Sequence, residues 1–449
     1  MRELIAKKFL YKDKEILRRF SLLSKLSTSS DEIYREEKVK LSAILKHAIK
    51  YVPFYIEWAS NKNILVKDID DNPYAMLELF PVIDKEIIRH DETSFISEDI
   101  VNRNSYTNYT GGSSGEPFKF IQDSDFHKWN ESIFLLSKTW RGWSLGAKEN
   151  LLWGSDKDTF SGKKSIKAKL KDLIYNRCTL NTFSLSSEIM REYIQIIDQQ
   201  KPQMIRAYAQ SIYQMALFMN ENGISLKYNG AIHTGAGTLY NHMRAEITKA
   251  FRTKEIYNHY GSRELGSIAS ECSSHTGMHI FTNHNFVEIM DESNQPVNDG
   301  KVGNIVATSL NNYSMPLIRY KIGDVGKKSI KNCECEIAYP MLEEVIGRST
   351  DILKASDGTI VLPEYMIHLI GVSSNDGSIS KFQIIQDRLG HIQIKVVLRN
   401  ERSLKEALQN EITSKIQILM GETSVEFREV SDIAKTSSGK YLYIKSNLD

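Results

Sequence analysis

Four short constellations carry residue types and spacings that could do chemistry. The first is Thr110-Gly111-Gly112-Ser113-Ser114-Gly115-Glu116-Pro117. Its three glycines let successive backbone amides point together at an anion, and its hydroxyls add donors, so the loop can cradle phosphate. It lacks the Gly-Lys-Ser/Thr ending of a Walker loop, which argues against an ordinary phosphate-loop ATPase. The second is Tyr260-Gly261-Ser262-Arg263-Glu264, where a ring can stack on a nucleobase and a nearby carboxylate can hold Mg²⁺ beside phosphates. The third is Arg319-Tyr320-Lys321-Ile322-Gly323-Asp324; a carboxylate after a glycine turn can accept two ribose hydroxyls, although an isolated Gly-Asp is usually only a turn. The fourth is Lys435-Thr436-Ser437-Ser438-Gly439-Lys440, which presents a lysine able to neutralise developing negative charge.

A metal site is a separate expectation. Cys272 is followed by His275 and His279, and Cys333 and Cys335 come later in the chain. Three thiolates and one imidazole complete a closed tetrahedral zinc site with no open position, which makes such a metal structural. Either histidine could serve by spacing alone. Cys178, the fourth of the four cysteines and the one outside this set, reads as a packing residue.

Taken together and in this order, the four constellations resemble those of the adenylate-forming (acyl-activating) enzyme superfamily. The likeness is strongest to its branch of phenylacetate–CoA ligases and CapK-type proteins of capsular polysaccharide loci. The segments VPFYIEW, FPVIDKEIIR, YTGGSSGEP, YGSRELGSIASEC, PLIRYKIGDVG, GRSTDIL and KTSSGK carry the resemblance over nearly the whole chain. It implies that Thr110, Gly111, Gly112, Ser113, Ser114 and Gly115 hold the β- and γ-phosphates of ATP. It further implies that Tyr260 stacks on adenine, Glu264 helps bind Mg²⁺, Asp324 grips the ribose and Arg348 reaches ribose or phosphate. Lys440 would bridge the substrate carboxylate and the α-phosphate, with Glu264 the other catalytic group. His233, Gly235 and Arg206-Ala207-Tyr208 fall where that fold lines an acyl pocket, and the branch's Cys…His…CxC pattern favours His279 over His275 as the zinc ligand beside Cys272, Cys333 and Cys335. The implied co-substrates are ATP and a small carboxylic or amino acid. The implied acceptor is CoA or an amine or hydroxyl of a polysaccharide precursor.

These loops need a frame, and the rest of the sequence supplies one. The chain has 449 residues, 41% hydrophobic and 25% charged, the mixture of a globular protein with a sizeable core. Lys and Arg total 58 against 56 for Asp and Glu, which argues against a dedicated nucleic-acid binder. Charges interrupt every apolar stretch of MRELIAKKFLYKDKEILRRF, so neither a secretory signal nor a membrane span is expected and the cytoplasm is the expected compartment.

Residues 1–50 read as helical, with Leu4, Ile5, Phe9, Leu10, Ile16, Leu17 and Phe20 near one face and Lys7, Lys8, Lys14, Arg18 and Arg19 around it. Such a helix either packs on the body or lies on an anionic membrane as a peripheral contact. From residue 105 to 330 helical and strand-like segments alternate, which predicts a mixed α/β body with several sheets. Residues 186–222 read as two helices separated by KPQMIRAYAQS. After residue 348 the pattern changes to a strand pair around Arg388-Leu389-Gly390, a helix bearing Leu404, Ala407, Leu408, Ile412, Ile416 and Leu419 on one face, and TSVEFREV as a last strand. The expected organisation is therefore an ATP- and acid-binding domain over 1–348 and a small α+β domain over 349–449 carrying Lys440.

Overall fold

The computed structural model describes residues 13–109, 118–153, 172–182, 185–348, 353–357, 360–361, 366, 369–370, 378–399, 403–434 and 442–448. Helix α1 (Lys14–Leu26) starts at Asp13, whose carboxylate accepts the Glu15 amide at 3.0 Å, and α2 (Ser30–Tyr51) starts at Ser29; both are side-chain N-caps that satisfy otherwise orphaned amides. The strands β1 (Ser105–Tyr109) and β2 (Lys119–Asp123) form an antiparallel hairpin. Asp123 closes that hairpin and caps α3 (Ser124–Thr139), accepting the Phe126 amide at 2.8 Å and the Tyr313 amide at 3.0 Å.

Next come β3 (Glu149–Leu152), β4 (Arg177–Leu180), α4 (Ser187–Gln200), β5 (Met204–Tyr208), α5 (Ala209–Glu221), β6 (Ala231–Gly235), α6 (Asn241–Phe251) and β7 (Ile256–Ser262). The segment expected only to separate two helices is thus strand β5. MIRAY is short and interrupted by Arg206, so it has neither the length nor the alternation that marks a strand by pattern. The chain continues with β8 (Gly266–Glu271), β9 (Met278–Ile280), β10 (Asn285–Met290), β11 (Val302–Ser309), β12 (Tyr320–Lys328) and β13 (Met341–Arg348).

Eleven strands make one sheet in the order β10-β11-β12-β13-β9-β8-β7-β6-β5-β3-β4. Pairing is parallel from β4 through β3, β5 and β6 to β7, and antiparallel where β7 meets β8 and β8 meets β9. Parallel strands joined through helices are buried on both faces, and Ile205, Ile232 and Ile256 are accordingly fully buried.

Helix α1 packs on α3. Leu23 is fully buried with Ile33, Ile133, Leu136 and Phe281; Ile16 and Phe20 pack around Leu135 and Met204. Arg19 Nη2 meets Asp125 Oδ1 at 2.5 Å, and Ser132 Oγ donates to the Ile16 carbonyl at 2.9 Å. The apolar face of this helix is therefore used inside the protein from Lys14 onward. Among the described residues no helix is long and apolar enough to cross a membrane.

The described residues group into two compact units, the first running to Glu344 and the second taking in Val345 onward with Gly323–Val325. The second unit holds the short pair β14 (Leu353–Lys354) and β15 (Ile360–Val361). It also holds β16 (Ile379–Arg388), β17 (His391–Leu398), helix α7 (Glu406–Met420), β18 (Ser424–Glu429) and β19 (Ile444–Ser446). Their sheet order is β18-β17-β16-β19. The turn between β16 and β17 falls at Gly390, whose φ of +68° suits glycine. TSVEFREV is β18, but it is not the last strand: the tail adds β19, parallel to β16. Three residues are too few to reveal a strand by periodicity.

Candidate active site

The phosphate-loop candidates Thr110, Gly111, Gly112, Ser113, Ser114 and Gly115 lie outside the described residues, as do Lys435, Lys440 and the Arg348 side chain. What is described is the frame on either side of that loop. Phe118 and Phe120 are each 1% exposed, which fixes the start of β2 in the core. The β1–β2 hairpin is clasped to the turn that bears Tyr260 and Glu264. Gln122 Nε2 donates to the carbonyls of Arg263 at 2.9 Å and Glu264 at 3.0 Å, and Arg263 Nη1 donates to the Tyr109 carbonyl at 2.8 Å. Gln122 is buried, so its two bonds are partly shielded from water, whereas the Arg263 bond is exposed. Gln122 stood in no motif, and Arg263 stood in one without a role, because each acts on backbone carbonyls.

Two glycines shape the same turn. Gly266 has φ +65°, and a Cβ there would overlap Asn130 Oδ1, which accepts the Ser267 amide at 2.8 Å. A Cβ on Gly261 would collide with the Gly266 carbonyl. Gly266→Ala is expected to destabilise the protein by about 2–4 kcal/mol, the sum of a left-handed conformation and overpacking. Urea unfolding checks this, and an unchanged midpoint would refute it.

Asp324 lies in β12 after Gly323, at φ +86°. The start of this strand is held from the N-terminal region. Buried Arg319, at φ +50°, donates through Nη1 to the Glu78 carbonyl at 2.8 Å and the Phe80 carbonyl at 3.0 Å, and its Nη2 meets Glu288 at 3.2 Å. Tyr55 OH donates to the Pro316 carbonyl at 3.3 Å and accepts the Ile318 amide at 3.2 Å. The Lys321 amide donates to the Ile83 carbonyl at 2.7 Å. The VPFY and FPVI segments thus brace the PLIRYKIG segment.

The parallel strands end at one edge of the sheet, where open α/β sheets bind ligands. Tyr208 and Gly235 are register partners at the ends of β5 and β6, and Trp153, just past β3, stacks on Tyr208 with centroids 3.8 Å apart. Tyr260 lies near the end of the neighbouring β7. His233 sits two residues deeper than Gly235, buried beside His259, with centroids 5.1 Å apart, and beside Phe134 at 5.4 Å. Arg141 Nη1 approaches His233 Nδ1 at 2.8 Å. Burial first, then the nearby Arg141 charge, holds both imidazoles well below the usual histidine range, so both are neutral.

The four zinc candidates converge. The donor atoms of Cys272, His279, Cys333 and Cys335 all lie within 4.8 Å of one another. The Cys272 and Cys333 sulfurs are 3.5 Å apart, and Cys335 Sγ is 3.2 Å from His279 Nε2. His279 Nδ1 is 2.8 Å from the buried Tyr339 carbonyl; donating there fixes the proton on Nδ1 and leaves Nε2 for a metal. His275 is not in the cluster: its Nδ1 is 3.5 Å from Glu271 and its ring packs on Tyr257. Donor set and spacing fit a tetrahedral zinc ion. Cys178 stands apart in β4.

Residues 353–447 match the family described as the CapK C-terminal domain. Over 432 residues the chain is 22% identical to protein CapK of Staphylococcus aureus, covering 93% of this chain and 90% of the relative. It is also 22% identical to phenylacetate-coenzyme A ligase of Pseudomonas putida, covering 94% and 96%. Among solved structures, 2-hydroxyisobutyryl-CoA ligase in complex with 2-HIB-AMP superposes with a TM-score of 0.71 at 17% identity, over 91% of this chain and 88% of that one. O-succinylbenzoate coenzyme A synthetase of Bacillus subtilis, in complex with ATP and magnesium ion, does so at 0.52 and 16%, over 75% and 68%. Fold, motif order and relatives agree: over nearly its whole length the chain is similar to ATP-dependent acyl-adenylating ligases of the adenylate-forming type, and most of all to CapK and the phenylacetate–CoA ligases.

Proposed function

We propose that this protein adenylates a carboxylic acid with ATP and passes the acyl group to an acceptor, either CoA or an amine or hydroxyl of a surface-polysaccharide precursor. The observation that carries this reading is the clasp between the phosphate-loop hairpin and the Tyr260–Glu264 turn, made by Gln122 and Arg263. It supports a shared role for two motifs that lie far apart in sequence. In the first half-reaction a carboxylate oxygen attacks the α-phosphorus of ATP, the bond to pyrophosphate breaks, and acyl-adenylate forms. Glu264 would help hold Mg²⁺, which offsets phosphate charge when bound. Lys440 supplies positive charge where two anions meet.

In this reading residues 1–348 bind ATP and acid, and residues 349–449 form a mobile domain that withdraws Lys440 before acyl transfer. Cys272, His279, Cys333 and Cys335 hold a structural Zn²⁺. The reaction takes place in the cytoplasm, where ATP is available, and a polysaccharide acceptor would bring the enzyme to the inner face of the membrane. Relatives named for CoA ligation favour the CoA acceptor, and the likeness to CapK favours the polysaccharide one. Pyrophosphate release from MgATP across a panel of carboxylic and amino acids tests the first half. CoA and amino sugars then compete as acceptors for the adenylate. Failure to bind ATP at all would point instead to a non-catalytic binding or scaffold protein that has kept the fold.

A further inference from the structure

In the reading above, strands β5 and β6 floor the acyl pocket, and that floor is charged. The side chain of Arg206, on strand β5 in the interior of the sheet, has 23% of its surface accessible, so it is not sealed from solvent. The register puts it opposite His233, two residues below the Tyr208–Gly235 pair at the strand ends, on the same face. Phe134 lies under the guanidinium, 4.5 Å from its carbon.

Three cations gather here, and one carboxylate pairs with two of them: Glu149 takes both Lys138, at 3.4 Å, and Arg206, at 3.5 Å. Arg141 makes no ion pair among the described residues, although Glu271 is near enough to act on it. It is 5% exposed, and its Nε and Nη2 have no hydrogen-bond partner among the described residues; His259 Nδ1 is likewise unpartnered. Glu271, the next acid, is committed to Arg244 at 2.7 Å and to the Asn258 amide at 2.7 Å. Burial presses the Lys138 ammonium down to about 8 and the Arg141 guanidinium down to about 9. An acyl pocket meant for an aromatic or fatty chain gains nothing from such a floor.

We propose that the acid activated here is a dicarboxylic acid whose far carboxylate binds over Arg206 and Arg141. This rests on the adenylation reading above and names its substrate class. The second carboxylate supplies the missing negative charge and accepts the free guanidinium donors, a strong charge-assisted pairing. Two residues of strand rise, about 6.6 Å, separate the strand ends from Arg206, a span suited to diacids of roughly four to six carbons.

Pyrophosphate release should be compared for succinate against butyrate, glutarate against pentanoate and adipate against hexanoate. The wild type should favour the diacid of at least one pair by roughly a hundredfold or more in kcat/KM, because the analogue leaves buried donors unpaired. Arg206→Met should collapse that ratio by losing diacid activity alone, and Arg206→Lys should keep part of it. Arg206 is the residue to change, since Arg141 also faces Glu271 and the Cys272 thiol. A wild-type preference for the monocarboxylates, or an unchanged ratio in Arg206→Met, overturns the proposal. Thermal melts with the same acids separate the two readings. If no acid yields pyrophosphate, adenylation fails. The pocket is then decided by whether diacids raise the melting temperature of the wild type and not of Arg206→Met.

Discussion

Lys440→Ala is expected to lower acid-dependent pyrophosphate release about a hundred- to a thousandfold, the usual cost of removing one preorganised donor from a developing oxyanion. The physical reason is that a carboxylate attacks a phosphorus already surrounded by negative oxygens. Positive charge that strengthens its contacts as the new bond forms lowers the barrier more than it lowers the ground state. The effect should therefore fall on kcat, with ATP affinity and melting temperature little changed. Lys435→Ala, five residues earlier in the same small-residue sequence, should leave the rate close to wild type. Equal loss in the two variants would remove the specific role assigned to Lys440.

The second large effect is expected from the metal. Zinc analysis of the purified protein should find about one ion per chain, held by four ligands, and Cys272→Ala or Cys333→Ala should lose it. The cluster ties the loop carrying Cys333 and Cys335, between β12 and β13, to the β8–β9 hairpin that presents Cys272 and His279. Losing the ion through either substitution should cost on the order of 4–5 kcal/mol, because it both unties that loop and leaves the two remaining thiols and His279 with nothing to bind. Proton competition gives the effect a direction: thiolates must be deprotonated to bind, so zinc is released as pH falls. A chain that keeps its zinc after both substitutions would exclude this ligand set.

How much of this was legible depended on whether a residue's role was local. The glycine-rich loop, Tyr260 to Glu264 and Lys440 stand in short motifs whose residues act within a few positions of one another. The cysteine pattern was legible too, but its histidine was ambiguous by spacing. The side chain that excludes His275 is Glu271, and the group that orients His279 is a carbonyl 60 residues away. Arg206 hid a strand, because a charged residue in a five-residue apolar run resembles a loop. Arg141 and Lys138 were invisible for a related reason: composition assigns such side chains to solvent, and only the fold shows that three of them share one interior face. Arg319 looked like part of a ribose motif, whereas its guanidinium is spent on the backbone of the FPVI segment and on Glu288.

The brace between Tyr55 and Ile318 spans 263 residues of chain. On the ribosome, at roughly 5–20 residues per second, that separation corresponds to a wait of about 13–50 s between synthesis of the two partners. For that interval α1 can already close on α3, but Tyr55, Phe80 and Ile83 lack the partners that the Pro316–Lys321 segment supplies. The N-terminal region is thus the first part of the chain to emerge and among the last to be secured. Chaperone demand during synthesis should fall on this stretch, and codon changes that slow translation between residues 100 and 320 should lower the soluble yield more than equal delays placed after residue 350.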